Sequence, residues 1–415
     1  MIKRKLFKDL EAHIPKKEIT VLIGPRQAGK TTLLFLLKDH IEKKGGKTIF
    51  LNLDIERDKQ FFVSQDVLLS KIELEFGKSK GTVFIDEIQR KENAGLFLKG
   101  IYDMKLPYKF VVSGSGSLEL KEQIHESLAG RKRIFELNTL SFEEFVNFKT
   151  NYHYEQHLDE FLAVDKIQRK ILFDQYVTFG GYPSVVLADT IEEKRRIIDE
   201  IYQSYLIRDI SYLLGVRHVE SFSQLIQILA SQIGNLVNTA KLSRMLGISH
   251  HTVNQYIYYL EKTFIISRLS PIYKNIRKEI VKSPVFYFND LGLRNYSLGI
   301  FGDKLISNDG LVFENLVFNI LKDKISHSGK QLHFWRTKDG AEVDFVVSKS
   351  KETIPVEAKC MSLKQMLIPK SFRSFISQFT PKEAFLVNLD LNEGMKLDNT
   401  DIKIISLDKL MFSSI

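Results

Sequence analysis

The chain has 415 residues, is 44% apolar by residue type and carries a formal net charge of +9. That length exceeds one ordinary core, so about two to four domains are expected. No window approaches the apolar length of a membrane span. The single cysteine, Cys360, excludes an internal disulfide and a cysteine-based metal site. Residues 1–18 are basic but lack the apolar run of a secretory signal. These features point to the cytoplasm, away from membranes. The excess of positive charge favours a polyanionic partner such as DNA.

In chain order, an apolar run at 19–23 reads as a buried strand, followed by Gly24-Pro25-Arg26-Gln27-Ala28-Gly29-Lys30-Thr31-Thr32. Those residues match G-x-x-x-x-G-K-[ST] at every fixed position, and 32–38 read as the helix that follows. Glycines let backbone N–H groups approach phosphate oxygens, and the helix N-terminus adds partial positive charge. Lys30 would reach the β- and γ-phosphates of ATP, and Thr31 would ligate Mg²⁺. Further strands are expected at 48–53, 82–86, 109–113 and 134–137, with helical patterns between them. That alternation argues for a parallel α/β sheet with the loop at the carboxyl ends of its strands. The strand at 82–86 ends in Asp86 and Glu87. Asp86 is suited to hold Mg²⁺ through water, and Glu87 to orient or deprotonate the attacking water.

These residues resemble an AAA-type ATPase, in a prokaryotic branch with a small lid and an appended winged helix. The resemblance covers roughly the first 220 residues. It implies that Val111-Val112-Ser113-Gly114-Ser115 carries the first sensor, with Ser113 and Ser115 both eligible. It also implies that Arg131, in Arg131-Lys132-Arg133, is the finger that reaches a neighbouring subunit's γ-phosphate. A solvated basic turn is the alternative there. A finger implies a homo-oligomer, a ring or at least a dimer. Gly180-Gly181-Tyr182-Pro183 is a turn by composition and would begin the lid. Arg195, Arg196 and Arg208 compete for a second sensor.

Residues 239–249 read as a short helix closed by Gly247, and Ser249 caps a second helix at 250–261. Val253, Ile257 and Leu260 share one face. His250, His251, Asn254, Gln255 and Tyr258 face elsewhere. This is a helix-turn-helix pattern, with 264–269 expected as a wing. The second helix has no Arg or Lys between His250 and Tyr259, which is unusual for reading DNA. A structural or subunit-contact role therefore stands beside DNA contact. Lys274, Arg277, Lys278 and Lys282 are nearby candidates for phosphate contacts.

From about residue 311 a helix leads into strands at 332–336, 341–348 and 353–359. Glu357 and Lys359 alternate onto one strand face, and Asp344 can lie across from them. Glu314 on the helix can approach from the side. Two or three carboxylates and a lysine suit a Mg²⁺-dependent phosphodiesterase. The pattern resembles the restriction-endonuclease-like D…E-x-K nuclease fold over about residues 311–390.

The expected organisation is a P-loop ATPase core at 1–140, a helical lid at 141–220, a winged helix at 221–285 and a nuclease-like α/β domain at 286–415. The whole resembles a prokaryotic AAA-type ATPase family whose C-terminal domain has no assigned function. The implied activity is ATP hydrolysis coupled to DNA binding or processing. An ATP-dependent assembly or signalling switch, with an inactive nuclease-like domain that binds a protein partner, is the alternative.

Overall fold

The computed structural model describes residues 1–77, 79–115, 128–203, 218–272, 283–303, 308–326, 328–361 and 368–415. Among these, two compact units form. The first holds Met1–Leu140 and Tyr258–Ile265. The second holds Ser141–Gln203, His218–Ile257 and Ile266–Ile415.

The first unit contains helix α1 (Leu6–His13), β1 (Ile19–Gly24), α2 (Lys30–Lys43), β2 (Thr48–Asn52), α3 (Glu56–Lys59), α4 (Gln65–Phe76), β3 (Gly81–Asp86), α5 (Ala94–Asp103), β4 (Tyr108–Ser115) and β5 (Lys132–Glu136). Its strands lie in the order β2-β3-β4-β1-β5, every neighbouring pair parallel. A strand in such a sheet is covered on both faces and reads as a continuous apolar run. Alternation then divides each run between two cores. Val21, Ile23, Val83, Ile85 and Val112 pack with Leu68 and Ile72 of α4 and Leu98 and Ile101 of α5. Leu22, Phe84, Val111 and Phe135 pack with Leu10 of α1 and Leu33, Leu34 and Leu37 of α2. Because the strands are parallel, their carboxyl ends share one edge, and the loop after β1 and the acids after β3 meet there.

The second unit begins with α6 (Phe142–Lys149), α7 (Leu158–Val164), α8 (Lys166–Phe179), α9 (Pro183–Leu187) and α10 (Ile191–Glu200). Ser141 and Glu144 close a reciprocal capping box on α6. After α11 (Val219–Ser231) come α12 (Thr239–Leu246) and α13 (His250–Lys262). Gly247 ends α12 in the left-handed region at φ 65°, and its N–H donates to the Ser243 carbonyl. Ser249 Oγ accepts from the Thr252 N–H at 3.0 Å, capping α13. Val253, Ile257 and Leu260 are fully buried, while His250, His251, Asn254 and Gln255 are exposed. The C-terminal part of α13 from Tyr258 belongs to the first unit, whose core takes in Phe264.

Next come β6 (Ile266–Pro271), β7 (Val285–Phe288), α14 (Leu291–Ser297), α15 (Gly310–Ile325), β8 (Gln331–Arg336), β9 (Glu342–Lys349), β10 (Glu352–Ala358), α16 (Lys370–Phe379), β11 (Glu383–Asn388), β12 (Glu393–Leu397), β13 (Thr400–Ser406) and α17 (Leu407–Phe412). The sheet order is β12-β13-β11-β10-β9-β8-β6-β7. The segment expected as a wing at 264–269 falls largely on β6, which belongs to this sheet. Strand β6 pairs with β7 on one side and joins the terminal sheet on the other, Ser270 opposite His333 and Pro271 opposite Phe334. The physical reason is the edge of β8, whose backbone groups need a partner strand. The four segments read from sequence therefore do not coincide with the two units. The basic residues Lys274, Arg277, Lys278 and Lys282 lie outside the described residues. Among those described, no helix is long and apolar enough to cross a membrane.

Helix α14 ties the second unit together. The Asn295 side chain donates to the Val177 and Thr178 carbonyls at 2.8 and 3.1 Å. The Asp290 carboxylate accepts from the Gly181 N–H and the Leu293 N–H at 2.8 and 2.9 Å. The Gly-Gly-Tyr-Pro turn is thus fixed by an acid more than a hundred residues away in sequence. Gly292 allows the approach, since a Cβ there would stand 2.1 Å from the Phe179 carbonyl oxygen. Gly292→Ala is expected to destabilise the unit by about 1–3 kcal/mol through overpacking. Urea unfolding measures this, and an unchanged midpoint would contradict the close approach.

Candidate functional site

At the carboxyl edge of the parallel sheet, the loop after β1 turns through Gln27 at φ 60° and Gly29 at φ 91° before α2 begins at Lys30. Ala28 is fully buried. The Lys30 ammonium donates to the Gly24 and Pro25 carbonyls at 3.0 and 2.7 Å. It is 6% exposed, and loss of water lowers its pKa to about 8, against the opposing pull of Glu87 and Asp86. A buried ammonium needs hydrogen-bond acceptors, and here two backbone carbonyls supply them.

Asp86 gathers the rest of the site. Its Oδ2 accepts from the Thr31 hydroxyl at 2.6 Å. Its Oδ1 accepts from the Ser113 hydroxyl and from the Glu87 N–H at 3.1 Å. One carboxylate thus joins α2, β3 and β4. Glu87 sits at φ 57°, a strained conformation for a non-glycine residue of the kind that clusters at functional sites. Burial and the neighbouring Asp86 charge raise its pKa, which suits a group that handles protons. The Gln89 side-chain amide donates to Glu87 Oε2. Sequence reasoning missed Gln89, and its position two residues after the acid was the only signal available.

The structure thus brings Lys30, Thr31, Asp86, Glu87 and Ser113 together. Ser113 faces Asp86 rather than open space. Ser115 continues the strand beside Gly24. Arg131 is not among them. The Ile19 N–H donates to its carbonyl at 2.9 Å, so it lies at the amino edge of the sheet, opposite the loop. Its guanidinium holds Asp103 through Nε–Oδ1 at 2.8 Å and Nη2–Oδ2 at 3.4 Å. Arg195 and Arg196 lie exposed on α10, Arg195 donating to the Phe301 carbonyl at 3.0 Å. Arg208 lies outside the described residues.

In the second unit, β9 and β10 are antiparallel, and their last paired residues are Phe345 and Val356. One step further along that register, Asp344 and Glu357 come opposite each other. Asp344 Oδ2 accepts from the Ala358 N–H at 2.8 Å. Lys359 Nζ stands 2.8 Å from Glu357 Oε1. Glu357 Oε2 is buried without a partner. Glu314 on α15 accepts from the Tyr287 hydroxyl at 2.5 Å, with Gly234 leaving room beside it. Burial, then Glu357 and Glu314, push the Asp344 carboxyl well up, and burial raises Glu357. Burial is also the largest cause that raises Glu314 to about 7, with the charges of Glu342 and Glu357 adding to it and the Tyr287 bond opposing it. For Lys359, the penalty of burial is outweighed by Glu357, Asp344 and Glu314, and its pKa rises. The structure therefore brings Asp344, Glu357 and Lys359 together with Glu314 near them. Among the described residues, however, no three His, Cys, Asp or Glu side chains are arranged to hold a metal ion. Protein donors already engage Asp344 Oδ2, Glu314 Oε1 and Glu357 Oε1. Tyr287 and Glu342 were missed by sequence reasoning: the strand of Tyr287 meets these acids only through the fold, whereas Glu342 stands two residues before Asp344 on β9.

Three family models match the chain. Residues 16–146 match the family described as AAA domain, which supports an AAA-type ATPase built on this parallel sheet. Residues 170–304 and 309–410 match two domains of unknown function, DUF8612 and DUF4143. Curated relatives span most of the chain. Uncharacterized protein MJ1544 of Methanocaldococcus jannaschii is 27% identical, over 98% of this chain and 86% of its own length. An uncharacterized protein of Haemophilus influenzae is 28% identical over 82% of each. Uncharacterized protein Rv2008c of Mycobacterium tuberculosis is 28% identical over 88% of this chain and 75% of its own. Among solved structures, AMPPCP-bound DnaA from Aquifex aeolicus is 15% identical, covers 63% of this chain and 90% of its own, and superposes with a TM-score of 0.28. A superposition that loose carries no functional argument.

The acid cluster has a measurable consequence. A carboxyl with a folded pKa near 7 and an ordinary value of 4.5 keeps a proton in the folded chain that the unfolded chain has released. Its stabilising contribution is therefore full below the ordinary value and is lost as pH rises through the folded one. From about pH 5 to 7.5 the second unit should lose up to about 3 kcal/mol through this group. Glu314→Gln should flatten that slope. Thermal unfolding across this range tests it, and identical slopes for variant and wild type would refute it.

Proposed function

We propose that the protein is an AAA-type ATPase that binds ATP with Mg²⁺ in the loop from Gly24 to Thr32, hydrolyses it, and couples turnover to DNA binding or processing. The observation that carries this reading is the Asp86 carboxylate, shared by the Thr31 and Ser113 hydroxyls beside a buried Lys30 whose ammonium donates to the Gly24 and Pro25 carbonyls. These residues fit a Mg²⁺–nucleotide complex: the ammonium is hydrogen-bonded to carbonyls that phosphate oxygens can replace, and Thr31 and Asp86 form a ready pair of oxygen ligands. When bound, the cation would offset phosphate charge during hydrolysis. Lys30 would exchange its carbonyl partners for phosphate oxygens. Glu87 would orient the attacking water and take up its proton, a task helped by its raised pKa. Ser113 would keep Asp86 aligned.

Arg131 supports an oligomeric reading, because its position at the amino edge of the sheet keeps it from its own loop. As a finger it would act on a neighbouring subunit after leaving Asp103. The net charge of +9 and the pairing of Asp344, Glu357 and Lys359 favour DNA as what turnover acts on. The second reading, a switch whose nuclease-like domain is inactive, draws on the protein donors that already engage Asp344 and Glu314 and on the lack of a three-ligand arrangement among the described residues. No cleavage step is derived for this cluster.

Steady-state ATPase assays with and without linear and branched DNA, at stated salt, test the main reading. Lys30→Ala should weaken MgATP binding severely, and Glu87→Gln should bind MgATP yet turn over at least about a hundredfold more slowly. Normal turnover in Glu87→Gln would remove the assigned base. Stimulation by DNA is expected, and its absence favours the switch.

Incubating branched and linear DNA with Mg²⁺ or Mn²⁺ decides between an active and an inert terminal domain. Any cleavage seen should vanish in Asp344→Ala and on chelation of the metal. Cleavage that survives in Asp344→Ala would exclude this cluster as its source.

A further inference from the structure

Arg4 precedes the first helix and carries no motif. Its Nη1 donates to the Ala28 carbonyl at 2.8 Å, inside the phosphate loop. Its Nη2 donates to the Asn138 carbonyl at 2.7 Å and the Thr139 carbonyl at 3.3 Å. One guanidinium thus spans two backbone segments whose closeness is seen independently. The Leu137 N–H donates to the Ile23 carbonyl at 2.8 Å, and a Cβ on Gly24 would stand 2.0 Å from the Leu137 oxygen. The segment leaving β5 therefore runs against the start of the loop, and Arg4 fastens the loop's far end to the same segment.

The consequence for the loop is stereochemical. A trans peptide is planar, with its C=O and N–H pointing in opposite directions. A carbonyl of Ala28 held by Arg4 fixes the N–H of Gly29 on the opposite side of that peptide plane. Gly29 sits at φ 91°, and glycine lets this peptide rotate at little cost. A donor on the Ala28 oxygen selects one orientation of this peptide. We propose that Arg4 is a positioning residue for nucleotide binding: it holds the Ala28–Gly29 peptide so that the Gly29 N–H is presented to phosphate, and it couples this to residues 138–139, two positions before the second unit begins at Ser141. This rests on the nucleotide reading above. Arginine suits the role because its planar fork reaches several carbonyls at once. A lysine supplies one compact ammonium that cannot span both segments.

The test uses the full chain, with MgATP titrated into wild type, Arg4→Ala and Arg4→Lys by calorimetry, each well below its melting temperature. Loss of one preset donor to phosphate should weaken MgATP by about tenfold or more in Arg4→Ala, with partial recovery in Arg4→Lys. Equal affinity in wild type and Arg4→Ala overturns the proposal. Should Arg4→Ala not fold, equal affinity in Arg4→Lys does so. A crystal structure of the nucleotide-free variant gives a readout independent of ATP. The Ala28 carbonyl should turn or adopt more than one orientation, and an unchanged carbonyl overturns the proposal. Wild type that binds no MgATP would refute the nucleotide reading, while the carbonyl's direction would still report on what Arg4 holds.

Discussion

The Asp86 carboxylate is the constraint around which the first unit is arranged. It is 1% exposed, and a buried charge is tolerated only where donors satisfy it. Here those donors are two hydroxyls and one backbone N–H. They come from three elements, so the bond set fixes how α2, β3 and β4 meet. That arrangement requires β4 to lie between β1 and β3, which is the observed strand order. Were β4 not beside β3, Ser113 would not stand beside Asp86. The local strain at Glu87 follows from the same junction, because the chain must turn sharply to leave its N–H on Asp86.

The second unit solves a related problem less completely. Asp344 and Glu357 face each other across an antiparallel pair, where like charges repel. Lys359 and the Ala358 N–H offset part of this, and protonation offsets the rest. The result is a set of carboxyls that all hold their protons more tightly than usual, Glu314 with a pKa of about 7, and one oxygen of Glu357 is left without a partner. A cluster of this kind is costly to keep for stability alone. That cost argues for a ligand or a reaction, even though the family models that cover this part of the chain assign it no function.

Helix α14 shows how the middle of the chain is held. Its polar residues point inward: Asp290 holds the Gly180-Gly181 turn, Asn295 takes the carbonyls that end α8, and Arg294 donates to the Ala230 carbonyl at 3.0 Å. Each bond satisfies a backbone group at a helix end or turn that would otherwise be buried without a partner. This explains why segments that read as lid, helix-turn-helix and terminal domain condense into one unit. The polar contacts between them are long-range, and no local pattern announces them.

The sequence by itself determined the parallel sheet, the phosphate loop, the acids at the end of β3, and the helix pair closed by Gly247 and capped by Ser249. These rest on local physics: apolar runs, glycine at positive φ, and capping side chains act within a few residues of themselves. Alternation along a strand likewise set Glu357 and Lys359 on one face. Tertiary structure alone decided that β6 would extend the terminal sheet, that Ser113 would bond Asp86, and that Arg131 would lie at the sheet edge away from its own loop. It alone brought Tyr287 to Glu314, Asp290 to Gly181 and Arg4 to Ala28. These pairs are separated by between 24 and 109 residues. A hydrogen bond across such a distance depends on which strand lies beside which, and periodicity within one strand carries no record of its neighbour.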